Sequence, residues 1–372
     1  MGGFEILARA RGGTAIRLKV DVMDVLSEVL RVVRLSGVVH LRAEFTQPWA
    51  IGSSPPTFAA RLNLTAESLA AFHVLIAGSC LVRLGKLPPL RIETGDVIVF
   101  PRGDPHVLAS DIEITPVPMK DIYMQPSLER ISDVRHGGAG EPTRLICGFL
   151  HSDHRFAPLA ESLPGLLCVR TRNGTVTVET QTESGRYVHP VAQQHEADWW
   201  QASLRYLISE TMAPGPGNRE VLSRLSEFLF MEVLRWQLRY AAENRSGWLA
   251  GLRDAHVGKV LALLHAEPAK PWTVEELAKQ AAISRAALAK RFVELVGEAP
   301  MQYLATWRMH LARHLLREST LGIAEIAARV GYESEAAFNR AFRRLVGAPP
   351  ASWRRGRVAS KPADNLVAIP TR

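Results

Sequence analysis

The feature that most restricts this 372-residue chain is a degenerate repeat in its last third. Glu276-Leu277-Ala278 recurs as Glu325-Ile326-Ala327, forty-nine positions on, while Leu288, Phe292, Gly297 and Pro300 recur as Phe338, Phe342, Gly347 and Pro350, each displaced by fifty. One insertion in the intervening turn accounts for the change of offset. A fixed internal period means that one supersecondary unit is used twice. Each copy reads as helix, short turn, helix. In the first, Thr273 and Glu276 have the spacing of a capping box, so a helix starts at Val274 and turns Leu277 and Ala278 inward. A second helix follows Ile283 with Ser284 as its N-cap, and Leu288 and Phe292, one turn apart, form its buried side. In the second copy Gly331 supplies the turn and Phe338 and Phe342 hold the core side. The first copy has Ala282 where the second has Gly331, so a turn that needs positive φ is strained there. Leu304, Trp307, Leu311 and Leu315 mark a long amphipathic helix between the copies, and Val257, Val260, Leu261 and Leu264 a leading one, for a set of seven helices.

A helix-turn-helix needs small or apolar residues where its helices cross and polar residues on the outer side of the second helix, which enters the major groove of DNA. Both copies comply. Charge agrees with this: between Gly251 and Arg357 there are 17 Lys plus Arg against 10 Asp plus Glu, a surplus of seven out of the chain's net +8. A basic excess confined to one segment suits a polyanion, because neutralised phosphates release counterions.

The stretches Gly297-Glu298-Ala299-Pro300-Met301-Gln302-Tyr303-Leu304 with Arg308, Gly331-Tyr332-Glu333-Ser334, Phe338 to Arg344, and Gly347-Ala348-Pro349-Pro350 resemble the DNA-binding domain of AraC/XylS-type regulators. The resemblance covers about Leu252 to Arg355. It implies that the second helix of each unit enters successive major-groove segments on one face of the DNA. The first reading helix is then Ser284 to Leu295, with Arg285, Ala286, Ala289 and Lys290 toward the groove, and the second runs from Ser334 to Val346, with Glu335, Ala336, Asn339 and Arg340 exposed. By side-chain chemistry Lys290 and Arg340 donate to guanine edges, Asn339 pairs with adenine and Glu335 accepts from cytosine. Arg285, Arg291, Arg343 and Arg344 suit phosphates, which set affinity but not sequence. Ala286 and Ala289 offer only methyl contacts, so the first unit is expected to read bases less sharply.

The first half reads differently. Residues 1–20 form an N-terminal extension, and Val22, Val25, Val29 and Val33 have a helical period. Strand-like segments follow at 39–45, 72–77, 80–84, 97–100, 144–150 and 175–179, punctuated by Pro55-Pro56, Pro88-Pro89, Gly95-Asp96 and Gly137-Gly138, which argues for a sandwich or barrel. Helices return at 199–210 and 219–242. The latter carries a stripe of Leu222, Leu225, Leu229, Val233 and Trp236, to be buried against the barrel or a second subunit. The fold class is therefore α+β and multidomain: a β-sandwich or barrel domain over 21–210, a linker with a long helix over 211–250, the tandem helix-turn-helix domain over 251–357, and a disordered tail over 358–372.

Gly95-Asp96-Val97-Ile98-Val99-Phe100-Pro101-Arg102-Gly103-Asp104-Pro105-His106 resembles the second cupin motif, with Ser110 where Asn is usual, and this resemblance makes the domain over 21–210 cupin-like. The first motif is only partly present: His73 stands as a first ligand, Leu75 replaces a His, and Cys80 stands near the place of a Glu. With Cys147 on a later strand, His73, Cys80 and His106 make a soft set suited to zinc or another divalent metal, and read equally well as core cysteines and hydrogen-bonded histidines. The expected partners are double-stranded promoter DNA, a small-molecule or metal effector, RNA polymerase and a second copy of the chain. Three cysteines and the lack of an apolar run of about 18 to 20 residues point to a cytoplasmic protein without a membrane. The competing functions are a metal-dependent cupin enzyme, for which Leu75 removes a ligand, and an alkylation-repair regulator, which requires a reactive thiol.

Overall fold

The computed structural model describes all residues but 1–3, 10–14, 21, 34, 63–68, 128–129, 153–156, 183–184, 192, 241–246 and 361–372. The chain divides into two compact units, residues 33–250 and residues 1–32 with 251–372. The N-terminal extension holds an antiparallel hairpin, β1 (Phe4–Arg9) and β2 (Ala15–Val20), where no strand was expected, and α1 (Val22–Val33) follows it. Among the described residues no helix is long and apolar enough to cross a membrane.

The unit of residues 33–250 is built on two sheets. Its strands are β3 (Leu35–Thr46), β4 (Ala50–Ser53), β5 (Leu69–Ala77), β6 (Ser79–Leu84), β7 (Leu90–Glu93), β8 (Val97–Phe100), β9 (His106–Ala109), β10 (Val117–Pro118), β11 (Ser132–Gly137), β12 (Pro142–Ser152), β13 (Leu166–Arg172), β14 (Thr175–Thr182) and β15 (Gly185–Pro190). The larger sheet has the order β11-β3-β12-β5-β8-β13-β14-β15 and the smaller β10-β4-β9-β6-β7. Phe45, Leu75, Ile98, Phe100, Leu145 and Cys168 of the first meet Ile51, Val82, Ile92 and Leu108 of the second in one core. Short helices α2 (Pro55–Arg61), α3 (Met119–Ile122) and α4 (Ala157–Ser162) sit in the connections.

The outer face of the larger sheet is also covered. Phe72 and Val74 of β5, Val97 and Val99 of β8 and Leu150 of β12 face Trp200, Leu204 and Leu207 of α5 (Gln194–Met212) and Leu229, Phe230 and Val233 of α6 (Asn218–Tyr240). Burial on both sides is why β8 reads as an unbroken apolar run, Val97-Ile98-Val99-Phe100. Gly37 of β3 lets α6 come close, since a Cβ there would stand 2.7 Å from the Ser223 carbonyl oxygen. The stripe on the long helix is thus largely spent within the chain: Leu222, Leu229, Val233 and Trp236 are all buried, and α6 is part of the sheet's compact unit, not a linker apart from it.

The C-terminal part of the second unit is helical. After α7 (Trp248–Arg253) come α8 (Val257–Ala266), α9 (Val274–Gln280), α10 (Arg285–Val296), α11 (Pro300–Glu318), α12 (Ile323–Arg329), α13 (Glu335–Val346) and α14 (Pro350–Ser360), the seven expected helices among the described residues. Because α14 continues to Ser360, the expected tail does not begin at 358; its remainder, 361–372, lies outside the described residues. Pro300 and Pro350 open their helices, where a missing N–H is harmless.

Candidate functional site

The two helix-turn-helix units close their turns alike. At the end of α9 the Ile283 amide donates to Ala278 O (3.1 Å) and the Ala282 amide to Lys279 O (3.2 Å); at the end of α12 Tyr332 donates to Ala327 O (2.9 Å) and Gly331 to Ala328 O (3.1 Å). Both are Schellman closures, which use up the last helical carbonyls and set the angle of the next helix. That next helix starts on a serine in each case: Ser284 Oγ accepts from the Ala287 amide and Ser334 Oγ from the Ala337 amide, both at 3.2 Å. The two serines expected among the DNA contacts therefore serve first as N-caps, each keeping a hydroxyl proton free to donate to a phosphate. The capping box at α9 is only half formed. Thr273 Oγ1 accepts from the Glu276 amide at 3.1 Å, but the Glu276 carboxylate pairs with Lys270 Nζ at 2.6 Å.

Leu288 and Phe292, and Phe338 and Phe342, are buried, which turns the opposite sides of α10 and α13 to solvent. Arg285, Ala286, Lys290 and Arg291 are exposed on α10 and Ala289 is half-buried; Glu335, Ala336, Arg340, Arg343 and Arg344 are exposed on α13 and Asn339 is half-buried. Their charges are not equally free. Arg285 pairs with Glu275 (2.7 Å), and Arg291 Nε holds Asp254 (2.8 Å), whose other oxygen caps α8 through the His256 and Val257 amides. Arg340, Arg343 and Arg344 make no ion pair among the described residues, and Lys290 only a long one with Glu294, 3.8 Å. The second reading helix thus presents the more available positive charge.

In the sheet unit, three of the four expected ligands come together. His106 Nδ1 lies 2.9 Å from the Asp104 carbonyl oxygen, so that nitrogen carries the proton and Nε2 accepts. His73 Nε2, 2.9 Å from His106 Nε2, must then donate, which leaves His73 Nδ1 to accept from the Cys147 thiol at 3.0 Å. The order of protons is fixed along the whole chain of bonds. Burial pushes His106 down to about 4 and lowers His73, with the neighbouring His106 adding to the effect, while burial raises the Cys147 thiol to about 12; all three are neutral.

Of the expected metal set the structure brings together His73, His106 and Cys147 and leaves Cys80 apart from them. Both nitrogens of His73 are engaged with different partners, so one ion cannot replace both bonds, and Cys80 sits in the apolar core on β6. Among the described residues no group of three or more His, Cys, Asp or Glu has the geometry to hold a metal ion. Nor do the thiols suit nucleophilic chemistry, since Cys80, Cys147 and Cys168 are free and buried and burial raises all three.

Above this network lies a cavity of about 160 Å³ that sequence reasoning missed. Its walls include His40, Leu41, Phe58, Ala71, His73, Tyr123, Cys147 and Phe149, with Ser53, Ser54, Thr57 and Lys120 also lining it. His40 owes its place to a β-bulge. Cys147 pairs with Leu41 and Gly148 with Val39, so His40 has no partner across the strand and its ring turns into the same space as Leu41. The His40 ring lies 4.6 Å from Phe58, 5.4 Å from Phe149 and, stacked, 5.8 Å from Tyr123. Burial pushes His40 down to about 3, and its Nδ1 is buried without a hydrogen-bond partner among the described residues.

A two-sheet domain with a cavity in it, followed in sequence by paired helix-turn-helix units, defines a DNA-binding transcription regulator with a cupin-like sensing domain. Comparison with known proteins gives the family. Residues 24–182 and 186–239 match the family described as Cupin and residues 277–356 the Helix-turn-helix domain. An AraC-like transcription regulator of Streptomyces antibioticus is 31% identical over 337 residues, 90% of this chain and 99% of that protein. The HTH-type transcriptional regulator AlkR of Acinetobacter baylyi is 28% identical, covering 89% and 99%. The DNA-binding domain of AdpA, solved with a target DNA, is 35% identical over 30% of this chain and 98% of its own, with a TM-score of 0.28. The chain belongs to the AraC family of transcription regulators.

Proposed function

We propose that this regulator acts in the cytoplasm on promoter DNA, reading bases with the outer sides of α10 and α13, and that a small organic molecule in the cavity of the sheet unit alters its promoter occupancy. One observation carries the reading of DNA: the matching closures and serine caps that expose Lys290 and Arg340 at equivalent places, together with the basic surplus of that unit. Arg340 and Asn339 supply base readout, Arg343 and Arg344 phosphate contacts, and Lys290 the chief base contact of the first unit. Arg285 and Arg291 give up an internal pair before they can reach a phosphate. The effector acts by binding one of two states of the protein better than the other, changing contacts with DNA, RNA polymerase or a second copy. An organic effector is favoured over a metal because the His73 nitrogens are already paired.

The test is footprinting of the full chain on DNA flanking its own gene. Protection of two adjacent major-groove segments on one face, lost in the double variant Lys290→Ala/Arg340→Ala, supports the reading. Protection unchanged in pattern and strength by that double variant refutes it.

A further inference from the structure

We propose that the cavity at His40 binds a neutral single-ring aromatic molecule bearing one hydroxyl group, the ring packed against the wall that Phe58, Tyr123 and Phe149 form and the hydroxyl bonded to His40. This rests on the reading of the cavity as an effector site and adds the chemical class of the effector. Size comes first. Apolar cavities of about 150 Å³ hold a benzene-sized guest, and this one measures about 160 Å³, room for one ring and little more. Shape follows from the walls: Phe58, Tyr123 and Phe149 surround the imidazole at centroid separations of 4.6 to 5.8 Å, spacings at which aromatic rings attract one another edge to face or offset.

The polar group is set by His40. Buried polar atoms in folded proteins almost always have a partner, and Nδ1 of His40 has none among the described residues. A β-bulge delivers this side chain to the cavity, a device that re-aims residues near functional sites. His73 and Cys147, which also line the cavity, offer no alternative, since they bond to each other.

Charge then selects the neutral form. His40 is uncharged across the physiological range. Arg61, the guanidinium lining the cavity, is committed to the carbonyl oxygens of Tyr123 (2.9 Å) and Met124. Lys120 is exposed. A carboxylate placed among the rings has no buried countercharge, whereas a hydroxyl needs only the imidazole.

The experiment is isothermal titration of the full chain with phenol, toluene and benzoate, with promoter binding measured in parallel. The expected result is that phenol binds on the order of tenfold more tightly than toluene, the ratio of one neutral hydrogen bond, and more tightly than benzoate. In His40→Leu the preference for phenol over toluene disappears while toluene still binds, which shows the cavity to be intact. Equal affinity for phenol and toluene in the unaltered protein, preference for benzoate, a phenol preference that survives His40→Leu, or no binding of any probe at millimolar concentration overturns the proposal. Promoter binding that persists in those cases leaves the regulator reading standing, and its absence condemns that reading separately.

Discussion

Ala282 and Gly331 occupy the same place in the two helix-turn-helix units, and both adopt the left-handed backbone, with φ of 54° and 86°. The turn geometry is therefore imposed by the unit and not by the residue. A side chain in this region loses about 1–2 kcal/mol to contact between Cβ and the following carbonyl, part of which glycine returns through its freer unfolded chain. Ala282→Gly should stabilise the protein by about 0.5–1 kcal/mol, read as a higher urea midpoint. The reverse change is worse than symmetric. A Cβ at Gly331 would stand 2.6 Å from the Ala269 carbonyl oxygen and 2.7 Å from its Cα, both backbone, so Gly331→Ala should cost about 2 kcal/mol or more.

The two reading helices should respond differently to mutation. Arg340 is exposed and makes no ion pair among the described residues, so Arg340→Ala should cost about 1–3 kcal/mol in binding and relax preference at one base pair. Arg343→Ala should weaken all sequences alike and lower the slope of log affinity against log salt by about one. Lys290→Ala is expected to have the smaller effect on sequence preference, as Ala286 and Ala289 leave it few polar neighbours on that face. Gel-shift titrations over a salt series with single-base variants separate the three.

Buried histidines make the protein sensitive to acid. His265 bonds the Tyr303 hydroxyl at 2.7 Å and packs 4.2 Å from Trp307, and burial pushes it down to about 3, against about 6.5 in an unfolded chain. Between those two values the unfolded state binds the proton and the folded state does not. Stability therefore falls as pH falls from about 6.5 toward 3, by up to about 1.4 kcal/mol per unit for each such group, and is fully present above 6.5. His40, His106 and His310 are shifted in the same direction. His265→Phe keeps a ring beside Trp307, so urea unfolding at pH 5 and 7 should show a smaller loss on acidification than in the unaltered protein. An equal loss would mean that His265 takes up its proton as readily in the folded protein as in the unfolded chain.

How far the sequence could be read depended on whether a residue's role was local. The helical half was legible because caps, turn residues and the 3.6-residue spacing of Leu288, Phe292, Phe338 and Phe342 lie close together in the chain. The edge strands β11 and β15 were not, because Ser132-Asp133-Val134-Arg135-His136-Gly137 and Gly185-Arg186-Tyr187-Val188-His189-Pro190 face solvent and carry no apolar alternation. His40 looked like one of the polar residues of an alternating strand beside Arg42 and Glu44. A bulge is a mismatch between two strands about a hundred residues apart, and nothing local announces it. The grouping of His73, His106 and Cys147 was visible in kind but not in geometry, since only the structure shows that each bonds the next.

Arg308 ties the two DNA-reading units together, and its loss should change what spacing of DNA the protein accepts. From the middle of α11 its Nε donates to Pro268 O (2.7 Å) and its Nη2 to Lys270 O (2.9 Å), in the segment that leads into α9, while its guanidinium lies 5.7 Å from the Tyr332 ring beyond α12. Gly331 packs on Ala269 at the same junction, so the ends of both units meet one half-buried cation. Such a clamp fixes the offset between α10 and α13. Along DNA one added base pair moves a groove segment by about 3.4 Å and rotates it, which a rigid pair of helices cannot follow. The unaltered protein should therefore lose most of its affinity when one base pair is inserted between its two contact segments. Arg308→Leu leaves two carbonyls without their charged donor and frees the junction, costing about 1–3 kcal/mol of stability. It should bind the correctly spaced site more weakly and the lengthened one nearly as well, so the ratio of the two affinities approaches one. A ratio that stays as large as in the unaltered protein would show that α11 alone holds the units in register.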